Sequence, residues 1–89
     1  MRLSRLFHDS NLGALVHAAE IDAAERIGRL TPMQRKILEG IVDGHPNKVI
    51  AHKLGLSQRT VENHRAEIRD RVEVTSALGL ARLLILAGE

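Results

Sequence analysis

The side chains with the most distinctive chemistry in this sequence lie between positions 59 and 66. Glu62, Asn63 and Ala66 follow Arg59 by three, four and seven residues, so on a helix all four would share one face. A glutamate can accept a hydrogen bond from cytosine, an asparagine can pair with adenine through two bonds, and an arginine can bind guanine. Ala66 would lie near a thymine methyl group. The pattern predicts a helix face that contacts base edges in the DNA major groove; the alternative is that its charged side chains only solvate the helix.

A second set of residues is suited to binding phosphate. Asn47 and Lys48 begin a short predicted helix whose free first-turn amides favour an anion, and Thr60 carries a hydroxyl in the first turn of the next helix. For Thr60 the alternative is a local capping bond, and for Arg69 and Arg71 it is simple solvation. The remaining candidate phosphate contacts of this set are Lys53, Arg59, Arg65, Arg69 and Arg71.

The helix that must position these side chains is predicted over residues 57–72. Ser57 can accept a hydrogen bond from a first-turn amide and so serves as the N-cap. Val61, Ile68 and Val72 recur near the helical period and form a narrow apolar stripe. A helix with a thin apolar back and long polar side chains in front suits binding better than complete burial. His64 lies at the inner edge, where we expect a packed, hydrogen-bonded histidine.

Two shorter helices are predicted before it. Thr31, Pro32 and Gln34 form a strong helix start with a capping box, and Gly44 supplies the stop. Asn47 is then expected to cap a helix over residues 48–54. Gly55 follows, so the pattern is helix, tight glycine turn, helix, which is typical of a helix-turn-helix unit.

The first and last segments are also predicted to be helical, whereas residues 1–9 look poorly ordered. Residues 10–29 keep one face apolar, which fits either a helix folded onto its own domain or one that binds a partner. Residues 76–87 are so rich in leucine that a second face must be buried, and a symmetric dimer would bury it. The residues expected in that dimer interface are Leu80, Leu83, Leu84 and Ala87.

Composition limits the function classes. The 89 residues carry a formal net charge of only +2, so a DNA-binding surface would have to be a local patch. Cys, Trp and Tyr are absent, which removes thiolate metal sites and disfavours binding of unstacked bases on aromatic rings. The histidines lack metal-ligand spacing, and no nucleophile motif or glycine-rich phosphate loop occurs. We therefore expect no enzyme activity, no cofactor, no metal, no small-molecule substrate and no membrane segment.

The run from Leu30 to Ala66, with Thr31-Pro32, Asn47-Lys48 and Arg59-Thr60-Val61-Glu62-Asn63-His64-Arg65-Ala66, resembles the LuxR/NarL/FixJ-type DNA-binding domain, closest to the FixJ branch. The resemblance covers about residues 30–88. It implies an all-α, four-helix helix-turn-helix domain at 30–89, preceded at 1–29 by a tail and a linker helix that would join a receiver domain. Glu73 stands where many members have glycine, and Gly79 falls inside the last helix.

Two functions are in competition. The first is a cytoplasmic, sequence-specific transcriptional regulator that binds double-stranded DNA as a homodimer, with a receiver domain or RNA polymerase as a candidate further partner. The second is a protein-interaction module or antagonist that pairs with another regulator or a polymerase subunit. The mixed charge of helix 57–72 and the apolar last helix motivate the second.

Overall fold

A computed structural model describes residues 11–88 of the chain, which are entirely helical apart from their connecting turns. The predicted all-α architecture, four helices preceded by a linker helix, is confirmed. The prediction made for residues 1–9 lies outside the described residues. The five helices are α1 (Asn11–Ile27), α2 (Pro32–Val42), α3 (Asn47–Leu54), α4 (Gln58–Val72) and α5 (Ala77–Leu86).

The start of α2 follows the predicted capping chemistry. The Thr31 hydroxyl accepts a hydrogen bond from the Gln34 amide at 3.1 Å, and the Gln34 side chain accepts one from the Thr31 amide at 3.2 Å. After α2 the chain turns through Gly44, whose φ of 82° is in the left-handed region. The expectation that Asn47 caps α3 is wrong. Pro46 is the N-cap, without a side-chain bond, and Asn47 is already the first helical residue.

The turn between α3 and α4 has helix-turn-helix geometry. Gly55 ends α3 with φ 68°, and the Leu56 amide donates back to the Ala51 carbonyl at 2.9 Å. Ser57 then caps α4, because its hydroxyl accepts from the Thr60 amide at 3.0 Å. Such a short connection forces α4 to cross α3 steeply and leaves one face of α4 outside the fold.

The helices enclose one aliphatic core. α4 packs against α2 and α3, whereas α5 packs against α1 and α2. α1 contributes fully to this core, because Ala23 is 0% exposed and Ile27 is 3% exposed. The boundary placed after residue 29 stays a prediction, but α1 and the later helices share their apolar contacts. The largest fully buried apolar side chains are Ile37, Leu38, Ile68, Leu80, Val61 and Val72.

The entry to α5 explains the glycine inside it. The Ser76 hydroxyl accepts from the Gly79 amide at 3.0 Å, which caps the helix. A Cβ at position 79 would lie only 2.4 Å from Val74 Cγ1, so a side chain there would displace the turn. Gly79 therefore permits a close approach that outweighs its low helix propensity. None of the helices in residues 11–88 has the length and apolar content needed to cross a bilayer.

Candidate nucleic-acid interface

The rotation of α4 about its own axis is fixed by its apolar stripe. Val61, Ile68 and Val72 are each 0% exposed, so they hold one side of the helix inside the core. At 100° per residue, the side chains on the opposite side must face solvent. Those exposed side chains include four predicted base contacts, and the outward set on α4 is Arg59, Glu62, Asn63, Ala66, Arg69 and Asp70.

A polar cluster fixes one flank of α4 to the start of α2. We call Gln34, His64, Glu67 and Arg71 the Gln34 cluster. The buried Gln34 amide donates to Glu67 Oε2 at 2.7 Å, and its nitrogen lies 3.4 Å from His64 Nδ1. Its carbonyl oxygen accepts from Arg71 Nη1 at 2.8 Å. Glu67 and Arg71 are thereby engaged within the fold, and His64 is the packed histidine that we expected.

The cations divide into two groups by partner. Arg26, Arg29 and Arg71 all donate hydrogen bonds to atoms inside the chain. Arg71 was itself predicted to bind phosphate, but it is bonded to Gln34 instead. The other cations predicted to bind phosphate make no hydrogen bond or ion pair with the rest of residues 11–88, which leaves their charges open to an external anion. These open cations are Lys48, Lys53, Arg59, Arg65 and Arg69.

Arg65 is half-buried beside another positive charge. Partial burial lowers the pKa of the Arg65 guanidinium, and the like charge of Arg69 one turn later lowers that pKa further. An arginine stays protonated despite such a shift, because its pKa starts far above neutrality. A phosphate between the two guanidiniums would remove the repulsion, so the pair is electrostatically suited to an anion.

The start of α3 presents backbone donors as well. Pro46 caps the helix without a side-chain bond, and the amides of Asn47 and Lys48 have no acceptor within residues 11–88. The Thr60 hydroxyl lies 2.9 Å from the Ser57 hydroxyl and accepts from it. Thr60 therefore has the local bond that we considered as its alternative role, while its own proton remains able to donate.

The leucines predicted for a dimer interface lie mostly inside the chain. Leu80, Leu83 and Leu84 are 2%, 8% and 9% exposed, and they belong to the core that α5 forms with α1 and α2. Ala87 is half-buried and packs against the same core. These side chains cannot meet a second subunit while α1 covers them. The outward stripe of α5 instead consists of Leu78, Ala81 and Ile85, with Leu78 70% and Ile85 64% exposed.

Sequence reasoning missed the contacts that span the chain. It assigned Gln34 to the capping box alone, and it assigned no role to Arg26 or Arg29. No local signal could have revealed these partners, because they lie 30 to 46 residues away in sequence. Within residues 11–88, no group of His, Asp or Glu side chains is arranged to hold a metal ion.

The chain is similar to known bacterial regulators. The family model GerE, described as bacterial regulatory proteins of the luxR family, matches residues 28–84. The transcriptional regulatory protein FixJ of Bradyrhizobium diazoefficiens is 31% identical over 99 residues, which span 97% of this chain and 48% of that protein. FixJ of Azorhizobium caulinodans is 40% identical over 70 residues, covering 79% of this chain and 33% of the relative.

A solved structure is similar as well. A crystal structure of full-length FixJ from B. japonicum matches with a TM-score of 0.77 and 35% sequence identity. The match covers 88% of this chain and 38% of the crystallised one. The chain thus spans about half the length, or less, of the curated relatives it matches.

Proposed function

This chain belongs to the luxR family of bacterial regulatory proteins, and we propose that it binds double-stranded DNA sequence-specifically with α4 in the major groove. The observation that carries the proposal is the orientation of α4. Its three buried residues, Val61, Ile68 and Val72, direct a continuous polar face to solvent. A helix held in this way by a helix-turn-helix is the element that such proteins insert into the groove. The family consists of regulators and is not a class of enzymes.

Base contacts are assigned to the centre of the outward face. Asn63 is placed to pair with adenine, Glu62 to accept from the cytosine amino group, and Arg59 to bind guanine or a flanking phosphate. Ala66 is small enough to let the helix backbone approach the groove floor near a thymine methyl. All four side chains are exposed, which supports this assignment.

Phosphate contacts are assigned to the open cations and to the start of α3. Lys48 combines a side-chain charge with a free amide at a helix N-terminus, where an anion is favoured. Arg65 and Arg69 form a pair of like charges that a phosphate would neutralise. The remaining contacts proposed are Asn47, Lys53 and Thr60. Because such contacts release counterions, binding should weaken steeply with added salt.

We propose that two copies pair on DNA through α5, but through a different face from the one expected from sequence. The exposed Leu78 and Ile85, with the half-buried Ala81 between them, lie three, four and seven residues apart and form an apolar stripe. A second copy related by a two-fold axis would bury this stripe and place two α4 helices on half-sites about one helical turn apart. A receiver domain preceding this chain, a contact with RNA polymerase and a cytoplasmic location fit the same role.

The test is selection of a binding site from randomised duplexes, followed by titration of two variants on the selected sequence. Asn63→Ala should change the preferred base at one position, whereas Lys48→Ala should weaken all sequences alike and lower the salt slope by about 1. Lys36→Ala, which removes an exposed charge on α2, is the control. If neither Asn63→Ala nor Lys48→Ala alters binding, the face assignment is wrong.

The second candidate is a protein-interaction module built on the same fold. The exposed apolar stripe of α5 favours it, because a module of this kind needs an apolar surface rather than open cations. A wild-type chain that selects no sequence at low salt, yet forms a stable complex with another regulator or a polymerase subunit, would support this candidate and contradict DNA binding.

A further inference from the structure

The last turn of α4 accepts two hydrogen bonds from arginines that lie 46 and 42 residues earlier in the sequence. Arg26 Nη1, in the final turn of α1, donates to the Val72 carbonyl at 2.9 Å. Arg29 Nη1, in the turn that follows α1, donates to the Arg71 carbonyl at 2.8 Å. These two carbonyls are among the four that every helix leaves without an internal partner at its C-terminus.

The C-terminus of α4 combines these two donors with a left-handed cap. The amides of the residues that cap α2, α3 and α5 each donate to carbonyls of the preceding turn. Glu73 caps α4 in the left-handed conformation with φ 58°. The two guanidiniums donate to the Val72 and Arg71 carbonyls from outside the helix, and their charge also opposes the negative end of the helix dipole.

The arginines are themselves held in place. Asp22 Oδ2 lies 3.0 Å from Arg26 Nε, one turn earlier on α1, as an ion pair without hydrogen-bond geometry. The Arg26 guanidinium therefore lies between a carboxylate and the Val72 carbonyl, and its hydrogen bond is to the carbonyl. α1 in turn is anchored by Ala23 and Ile27, which are buried in the common core. Arg29 is the more exposed of the two, and it also lies 3.7 Å from Glu73.

We propose that Arg26 and Arg29 are positioning residues for DNA binding, which act by capping the last turn of α4; this inference rests on the proposed function. The last turn carries Arg69, one of the open cations, and ends on the core residue Val72. If the turn frays, Arg69 loses its fixed direction toward a phosphate. The DNA-binding unit then includes α1, all of which lies before the family match at residues 28–84.

The test compares three variants on the duplex that the wild-type chain selects from a randomised pool. Arg26→Met keeps the aliphatic stem but removes the donors, Arg26→Lys keeps one donor, and Lys36→Met removes a comparable charge from the exposed surface of α2. Affinity is measured across a salt series at a temperature where circular dichroism shows each variant to be fully folded. Hydrogen exchange of the amides in residues 69–73 is followed in parallel.

We expect Arg26→Met to weaken binding roughly three- to tenfold, the range that one net hydrogen bond covers. The salt slope should stay at the wild-type value because Arg26 touches no phosphate, and exchange at residues 69–73 should become faster. Arg26→Lys should recover most of the affinity, and Lys36→Met should match the wild type. If Arg26→Met is not fully folded, Arg29→Met is used, since its more exposed side chain contributes less to stability.

Two results would overturn the positioning role while leaving the proposed function intact. One is a fully folded Arg26→Met or Arg29→Met chain that binds as tightly as the wild type. The other is a salt slope lower by about 1, which would mean that the arginine binds phosphate directly. A wild-type chain that selects no sequence would overturn the proposed function and the positioning role together.

Discussion

Replacing Gln34 by glutamate should destabilise the chain although the two side chains are nearly isosteric. Gln34 is 1% exposed, and its amide group makes hydrogen bonds at both ends. Its nitrogen donates to Glu67 Oε2 at 2.7 Å, whereas its oxygen accepts from Arg71 and from the Thr31 amide. A glutamate keeps the acceptors but loses the donor, so it places a carboxylate where Glu67 now receives a bond.

The size of the effect follows from those distances. Two carboxylates at that 2.7 Å separation would repel by about 6 kcal/mol at an effective dielectric constant of about 20. Glu67 is exposed, so its side chain can turn into solvent and relieve most of this repulsion, and Arg71 gains a charged acceptor. The loss of a charge-assisted hydrogen bond remains, at about 1.5–3 kcal/mol. We expect a net destabilisation of about 2 kcal/mol, or a melting temperature lower by roughly 8–16 °C.

The assay is thermal and urea unfolding of Gln34→Glu, Glu67→Gln and the double variant, combined as a double-mutant cycle. Exchanging both residues restores a donor opposite an acceptor, so the double variant should regain at least half of the lost stability. For groups in direct contact we expect a coupling free energy of about 1 kcal/mol or more, with the double variant more stable than the sum of the two single effects predicts. Additive effects of the two substitutions would refute the reasoning, because they would mean that the 2.7 Å bond contributes nothing specific.

Three further predictions concern the backbone strain at Glu73, the buried side of α5 at Leu84 and its exposed side at Ile85. Glu73→Gly should raise the free energy of unfolding by about 0.5–1 kcal/mol, since glycine adopts the observed φ of 58° without a Cβ penalty; an unchanged or lower urea midpoint would contradict this. Leu84→Asp should unfold the chain at a cost of about 3–5 kcal/mol, because it buries an unpaired charge. Ile85→Asp should shift stability by less than about 0.5 kcal/mol yet halve the protein stoichiometry on DNA measured by light scattering; unchanged stoichiometry would exclude the Leu78–Ile85 stripe as the dimer contact.

Sequence alone predicted the elements whose signals are local. The capping box at Thr31, the glycine turn at Gly55 and the cap at Ser57 are each formed by residues within a few positions of one another. The outward face of α4 was also predicted, since its apolar stripe is narrow enough to define a single buried side. The base and phosphate contacts on that face stay predictions.

The sequence alone could not predict which face of α5 is buried, nor the long-range polar hydrogen bonds. Apolar residues occupy nearly the whole circumference of α5, so periodicity cannot distinguish the buried Leu84 from the exposed Ile85. The packing of α1 against α5 determines which face of α5 is buried, and that packing joins residues distant in sequence. Asn47 was assigned as a cap because asparagine is a good one, but Pro46 already holds the extended conformation that a cap requires.

The aliphatic core affects which residues can be substituted among proteins of this fold. Branched and straight hydrocarbon side chains exchange for one another at small cost when total volume is kept, and they impose little directional preference on how two helices slide past each other. The apolar stripe sets the rotation of α4, whereas its position along its axis is held by a few polar atoms, above all the Gln34 amide and the two guanidiniums at its far end. Interior leucines and isoleucines should interchange readily among relatives of this chain, whereas a change at Gln34 would need a compensating change in its distant partners Glu67 and Arg71.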